Sequence, residues 1–196
     1  AQQTVPEGRM VHSVHGYFLR TGDARKPIVY DIDRIRDGGS FTTRRVVAIQ
    51  SGAAIFTMSA SFQTEEEGLS HQAACPTTPG PDGLPSEIDI ARKYVDRIPE
   101  PMREQATCER PIEIRPVQPV NVLAPKPMPP ERRVWYRTVD KLPDRPALHQ
   151  QLLAYASDFN LLGAAMQPHA VSWLTPNMQV ASLDHAIWFH RPFRAD

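Results

Sequence analysis

Most of the chain's 20 prolines lie between residues 76 and 130. Proline fixes φ and lacks a backbone N–H, so it removes a hydrogen bond from any helix interior or central strand. Pro76, Pro79, Pro81 and Pro85 therefore exclude a continuous helix or an inner strand across their stretch. Such a concentration marks a joint between two structured blocks. A length of 196 residues suits one large domain or two small ones.

Before the joint, residues 11–63 carry the period of two that antiparallel strands require. Ile28, Tyr30 and Ile32 alternate with Val29, Asp31 and Asp33. Asp37-Gly38-Gly39 supplies residues that tolerate positive φ, as a hairpin turn demands. Phe41–Gln50 is rich in Thr and Val, with Phe41, Thr43, Arg45, Val47 and Ile49 on one side, and Ser51-Gly52 makes the next turn. Phe56, Met58, Ala60 and Phe62 then alternate with Thr57, Ser59 and Ser61, a half-buried strand. The pattern predicts a three-strand meander with a fourth strand ahead of it around Val11–Arg20.

In the joint, Ser86 is placed to cap a short helix running to Ile98, which Pro99 and Pro101 end. Strands are expected at Glu113–Val117 and Val134–Val139. Leu148–Leu162 reads as one amphipathic helix, with Leu148, Leu152, Tyr155, Phe159 and Leu162 in a stripe and Gly163 as its stop. Asp158 falls about 100° from the centre of that stripe, on the flank. Ser182–Phe189 reads as a strand, with Leu183, Ile187 and Phe189 on one face and Ser182, Asp184, Ala186 and Trp188 on the other. Sheet plus long helix in two blocks predicts an α+β architecture.

Charge and composition narrow the function classes. Lys plus Arg and Asp plus Glu number 22 each, which gives no argument for nucleic acid as a partner. No apolar run reaches the roughly 20 residues that span a bilayer. The polar opening AQQTVPEGRM does not read as a signal peptide, so the expected location is cytoplasmic. Cys75 and Cys108 are expected to be reduced thiols, not a disulfide framework or a zinc site. His185 and His190 are assigned to opposite strand faces, as are His12 and His15, so neither pair is expected to share a metal. Asp184 and His185 are assigned to opposite faces too, and no GxSxG elbow or glycine-rich phosphate loop is present. Trp135, Trp173 and Trp188, with Phe189, are read as core or tunnel lining, and Arg44-Arg45 and Arg132-Arg133 as solvated strand edges, with contact to phosphates as the alternative. On pattern alone Asp158 is a solvated helix residue or local cap, and Ser182 an ordinary strand-start serine.

Several segments, taken in order, change that reading. VHSVHGYFLRTGD, PIVYDIDRIRDGGSFTTRRVVAIQ, IFTMSASFQ, DGLPSE, RPIEIRPV, LLAYASDFNLL and ASLDHAIWFHRPF together resemble the acyl-CoA thioesterases of the thioesterase II (TesB) type. The resemblance implies a double hotdog, in which each of two units wraps an antiparallel sheet around a long helix. Residues 1–75 would be later strands of the first hotdog, 76–111 a Pro-rich linker with a short helix, and 112–196 the first strand, central helix and following strand of the second. The family pattern continues on both sides, so the sequence is expected to be an internal segment of a longer enzyme.

The resemblance also implies the chemistry. The family's acid stands in the motif YASDFN, here Asp158, and its hydroxyl in A-[ST]-x-D-H, here Ser182. The third group is a Gln expected beyond residue 196; Gln179 does not match its motif. The implied substrate is fatty acyl-CoA, hydrolysed with no metal or redox cofactor, and the implied assembly is a homo-oligomer. A non-catalytic hotdog segment for binding or assembly is the alternative. A hotdog dehydratase would want a His cooperating with the helix acid, and His149 stands two and a half turns from Asp158.

Overall fold

The computed structural model describes residues 1–196. They form two compact units. The first comprises Ala1–His71, Arg145–Ala154 and Ala181–Arg194; the second comprises Gln72–Asp144, Tyr155–Val180 and Ala195–Asp196.

The first unit is built on one antiparallel sheet of five strands, in the order β2-β3-β4-β1-β7. Its strands are β1 (Met10–Phe18), β2 (Val29–Asp37), β3 (Phe41–Gln50), β4 (Ala53–Gln63) and β7 (Asp184–Trp188). The meander expected from the sequence is present, and β1 pairs on the far side of β4. Ser51 and Gly52 both take positive φ, 50° and 79°, which matches the twist of a two-residue hairpin. Asp37-Gly38-Gly39 also turns the chain, but neither glycine has positive φ. Gly38 is needed there for a different reason: a Cβ would stand 3.0 Å from the Phe41 carbonyl oxygen.

Alternation along β3 is strict. Thr42, Arg44, Val46, Ala48 and Gln50 are buried, and they share their face with buried Ala60 and Phe62 of β4. Arg44, expected at a solvated edge, is instead only 1% exposed. Its guanidinium donates to the Thr4 hydroxyl and carbonyl, the Arg36 and Thr43 carbonyls and Asp37 Oδ1 at 2.6 Å. A buried cation survives because every direction of its fork finds an oxygen.

The second unit is mostly turns and short elements. Its two-stranded sheet pairs β5 (Ile112–Pro116) with β6 (Val134–Thr138). Ile112, Ile114 and Ala156 form its buried cluster, with Val134 and Tyr136 packed against them. Helix α1 (Glu87–Lys93) starts at Ser86, whose hydroxyl accepts from Asp89 N while the Asp89 carboxylate accepts from Ser86 N, a reciprocal capping box. Pro99 and Pro101, expected only to end a helix, open another, α2 (Glu100–Thr107). Proline is preorganised for a helix's first turn, where its missing N–H costs nothing.

The helix expected over Leu148–Leu162 is two. Helix α3 (Pro146–Ala156) and α4 (Leu161–Met166) are separated by the turn Ser157-Asp158-Phe159-Asn160. Ser, Asp and Asn side chains compete for nearby backbone groups, which favours turns over helix interiors. Gly163, expected as the stop, is buried inside α4, and left-handed Ala170 (φ 53°) closes the short 3₁₀ turn that follows α4. The buried side of α3 in the first unit carries His149 and Gln150, and the amide of Gln150 donates to the Val11 carbonyl at 2.9 Å. Tyr155 and Phe159, expected in the buried stripe, are exposed and meet edge to face.

Candidate functional site

Asp158 belongs to the second unit, half-buried in the turn between α3 and α4. Two contacts within that unit fix the turn. Ala156, two residues before, is 3% exposed against Ile112 and Ile114. Asn160, two residues after, donates through Nδ2 to the Tyr136 hydroxyl at 2.9 Å. Farther along α4, the Arg132 side chain lies over Gly163, where an added Cβ would make the guanidinium swing aside. Burial pushes the Tyr136 phenol above its ordinary pKa, so it remains a neutral acceptor for the Asn160 amide.

Glu87 faces this neighbourhood from the first turn of α1. Burial raises its pKa, and the Arg132 and Arg110 guanidinium groups pull the other way. Glu87 was not anticipated from the sequence. Its signal was present only as an acid next to the Ser86 cap, a position that usually means nothing more than a favourable charge on a helix start.

Ser182 belongs to the first unit and is half-buried, two residues before β7 begins. The strand expected from Ser182 is thus shorter, starting at Asp184. β7 pairs antiparallel with β1, Tyr17 facing Asp184 and Gly16 facing His185. Phe18 N donates to the Leu183 carbonyl at 2.9 Å, which carries the pairing to the residue next to Ser182.

Several side chains set aside in the sequence reading stand elsewhere than expected. A β-bulge between Val11 and Ser13 lets His12 Nε2 reach Ser61 Oγ at 2.8 Å, on the sheet face that also carries His15. His12 and His15 therefore do not point to opposite faces. A bulge places two residues against one and rotates the side chain there. His15 Nε2 donates to Asp184 Oδ2 at 3.1 Å, an ion pair when the ring is protonated. Trp135, Trp173 and Trp188 are exposed rather than core; of the four aromatics only Phe189 is buried, stacked on Phe193. Cys75 and Cys108 are free and exposed. No three His, Cys, Asp or Glu side chains are grouped to hold a metal ion. No helix is long and apolar enough to cross a membrane.

Comparison with known proteins tests the resemblance. Residues 1–63 match the family model "Acyl-CoA thioesterase N-terminal domain", and residues 101–196 match "Acyl-CoA thioesterase". Acyl-CoA thioesterase 2 of Haemophilus influenzae is 39% identical over 193 residues, covering 98% of this chain and 68% of that protein. The chain belongs to the acyl-CoA thioesterase family. Human acyl-coenzyme A thioesterase 8 is 37% identical over 204 residues, covering all of this chain and 63% of that protein. Among solved structures, the acyl-CoA thioesterase II TesB2 of Mycobacterium marinum superposes with a TM-score of 0.74 at 46% identity, across 100% of this chain and 68% of that one. A hot dog fold protein from Alicyclobacillus acidocaldarius superposes at 0.63 with 19% identity, covering 98% of this chain and 64% of that one. The fold is therefore the α+β hotdog anticipated from the sequence. The chain spans 63% to 68% of the length of these curated relatives.

Proposed function

We propose that this chain carries the acid and the hydroxyl of a thioesterase that hydrolyses fatty acyl-CoA to the free acid and CoA. The observation that carries the reading is Asp158 itself, a half-buried carboxylate in the YASDFN turn, whose flanks Ala156 and Asn160 are fixed on β5 and β6. Asp158 acts as general base, taking a proton from water as its oxygen attacks the thioester carbonyl carbon. The C–S bond then breaks, and the proton passes to the departing thiolate of CoA. Ser182 supplies a hydroxyl that hydrogen-bonds the attacking water. A Gln amide beyond residue 196 completes the set, and backbone N–H groups bind the oxyanion. Water is the nucleophile, so no acyl-enzyme forms.

Residues 1–75 and 112–196 belong to two successive hotdog units in this reading, with 76–111 as linker. The enzyme works in the cytoplasm as a homo-oligomer.

The decisive experiment is thiol release from a medium-chain acyl-CoA by the full-length protein and its Asp158→Asn variant. The carboxamide keeps the size of the side chain and loses the base, so turnover is expected to fall about 10²- to 10⁴-fold. Near-normal turnover in Asp158→Asn, with the fold intact by circular dichroism, removes Asp158 from the mechanism. The same assay on the 196-residue chain separates a working hydrolase from a segment that only binds or assembles.

A further inference from the structure

We propose that the loop joining β1 to β2 is the seat of the phosphorylated nucleotide end of the substrate, the 3′-phospho-ADP portion of CoA. The proposal rests on the acyl-CoA reading above and names a part of the molecule to which that reading assigns nothing.

An open cleft of about 600 Å³ is lined by Arg20, Arg25, Lys26, Thr21, Gly22 and Ser51, among others. Three of these are cations, and Asp23 is the only carboxylate in the lining. Asp23 is already engaged: Arg25 Nε and Nη2 donate to its two oxygens at 3.0 and 3.2 Å. That contact holds the Asp23 carboxyl below its ordinary pKa. Arg20 donates through Nη1 to the Ala54 carbonyl at 2.6 Å, and neither Arg20 nor Lys26 has a carboxylate partner. The loop therefore carries two uncompensated positive charges into a cleft.

The cleft is held open by a buried polar clamp. Gln50, 7% exposed at the end of β3, accepts from Asp23 N at 2.8 Å. Its amide donates to the Asp23 and Lys26 carbonyls at 2.9 and 3.1 Å. A glutamine at this position of a strand is costly to bury unless every polar atom is used, and here it fixes both ends of Asp23–Lys26. The cations are thereby presented by a pre-ordered loop, which lowers the entropy lost on binding an anion.

Placement supports the same ligand. β1 is the strand that receives β7, and Phe18 pairs with Leu183, the residue after Ser182. Leu19 and Arg20 both donate to the Ile55 carbonyl, at the bulge of β4, and this turns the chain into the cleft. The cationic loop thus begins within two residues of the pairing that brings Ser182 onto the sheet. A ligand that is neutral at its reacting end and polyanionic at the other matches that arrangement; a free fatty acid or a neutral ester does not.

The test compares two esters of one acid, acyl-CoA and acyl-pantetheine, which lacks the nucleotide. In the Arg20→Ala/Lys26→Ala variant the ratio of kcat/KM for the CoA ester to that for the pantetheine ester is expected to fall about tenfold, through KM. Lys26→Glu should lower the ratio further. An unchanged ratio in both variants overturns the proposal. Calorimetry with adenosine 3′,5′-bisphosphate reads the cleft without turnover. Binding by the native protein that Lys26→Glu abolishes supports the seat even if Asp158→Asn shows the catalytic reading to be wrong. Equal affinity for inorganic phosphate and for the nucleotide overturns it, because the cleft would then be a simple anion site.

Discussion

The two units reach their folds by different means. In the first, four strands of nine to eleven residues lie side by side, with the five-residue β7 at the edge, so backbone hydrogen bonds run in long ladders and the buried face of β3 follows a strict alternation. In the second, the paired strands have five residues each, and the buried cluster is three side chains. Side chains make up the shortfall there. Arg115 donates to the Pro81 and Leu84 carbonyls and to Glu113, Trp135 Nε1 to the Pro79 carbonyl, and Gln167 Nε2 to the Pro129 and Glu131 carbonyls. A Pro-rich chain has fewer backbone donors to offer, so long polar side chains satisfy its carbonyls instead. The consequence is that the first unit should fail through its extended interior, and the second through a small cluster supported by caps and clamps.

The sharpest way to break that contrast is Arg44→Ala. It removes a fully buried side chain and leaves the Thr4 hydroxyl and three carbonyls without their donor, whereas the exposed Asp37 returns to water. It should cost about 3–5 kcal/mol of stability, measured by urea unfolding. A cost below about 1 kcal/mol would mean that the guanidinium is replaced by water at little penalty. Ile114→Ala comes next, removing a third of the second unit's buried cluster. Its expected cost is about 2–4 kcal/mol, with protection from hydrogen exchange lost first at β5 and β6. Ser86→Ala removes one half of the capping box and should cost about 1 kcal/mol.

The smallest effect is the most diagnostic. Burial raises the Glu87 pKa, so the fold favours its protonated form. The stability this contributes is complete below the ordinary glutamate pKa and is lost as pH rises through the folded value. Glu87→Gln should therefore melt higher than the native protein at neutral pH, with the difference vanishing toward pH 4 or so. Glu113 has the opposite sign. Arg115 first, then Arg137, hold its carboxyl below the usual range, so its contribution is present at neutral pH and fades on acidification. A Glu113→Gln variant that matched Glu87→Gln in sign would refute this account of the second unit's charges.

Much of the first unit was legible because period-two alternation is a local signal. The cap at Ser86 was legible for the same reason, but Asp89 completing the box was not, and the helix expected to run to Ile98 ends at Lys93. The break between α3 and α4 was not read, although Ser157, Asp158 and Asn160 were visible, because the apolar spacing of Leu148, Leu152 and Tyr155 argued for continuity. Arg44 was misread because a doublet of arginines says nothing about which one points inward; only the alternation set by β3 and β4 decides that. His12 was misplaced because a bulge shifts the face by one residue, and no residue type in Val11-His12-Ser13 announces it. Asp158 and Ser182 stood out through their motifs, while nothing local distinguished Tyr136, Asn160 or Glu87.

By itself, the sequence determined where strands and turns could form, that proline would divide the chain, and to which family its motifs belong. Those are consequences of φ restriction, side-chain period and residue order, all of which act over a few neighbours. Tertiary structure alone decided that β7 would close onto β1, that Arg44 would be buried, and that Gln50 would clamp a cationic loop. Each of these depends on which groups meet across long stretches of chain, where the cost of leaving a polar atom unpaired in the interior selects one arrangement among many that local pattern permits.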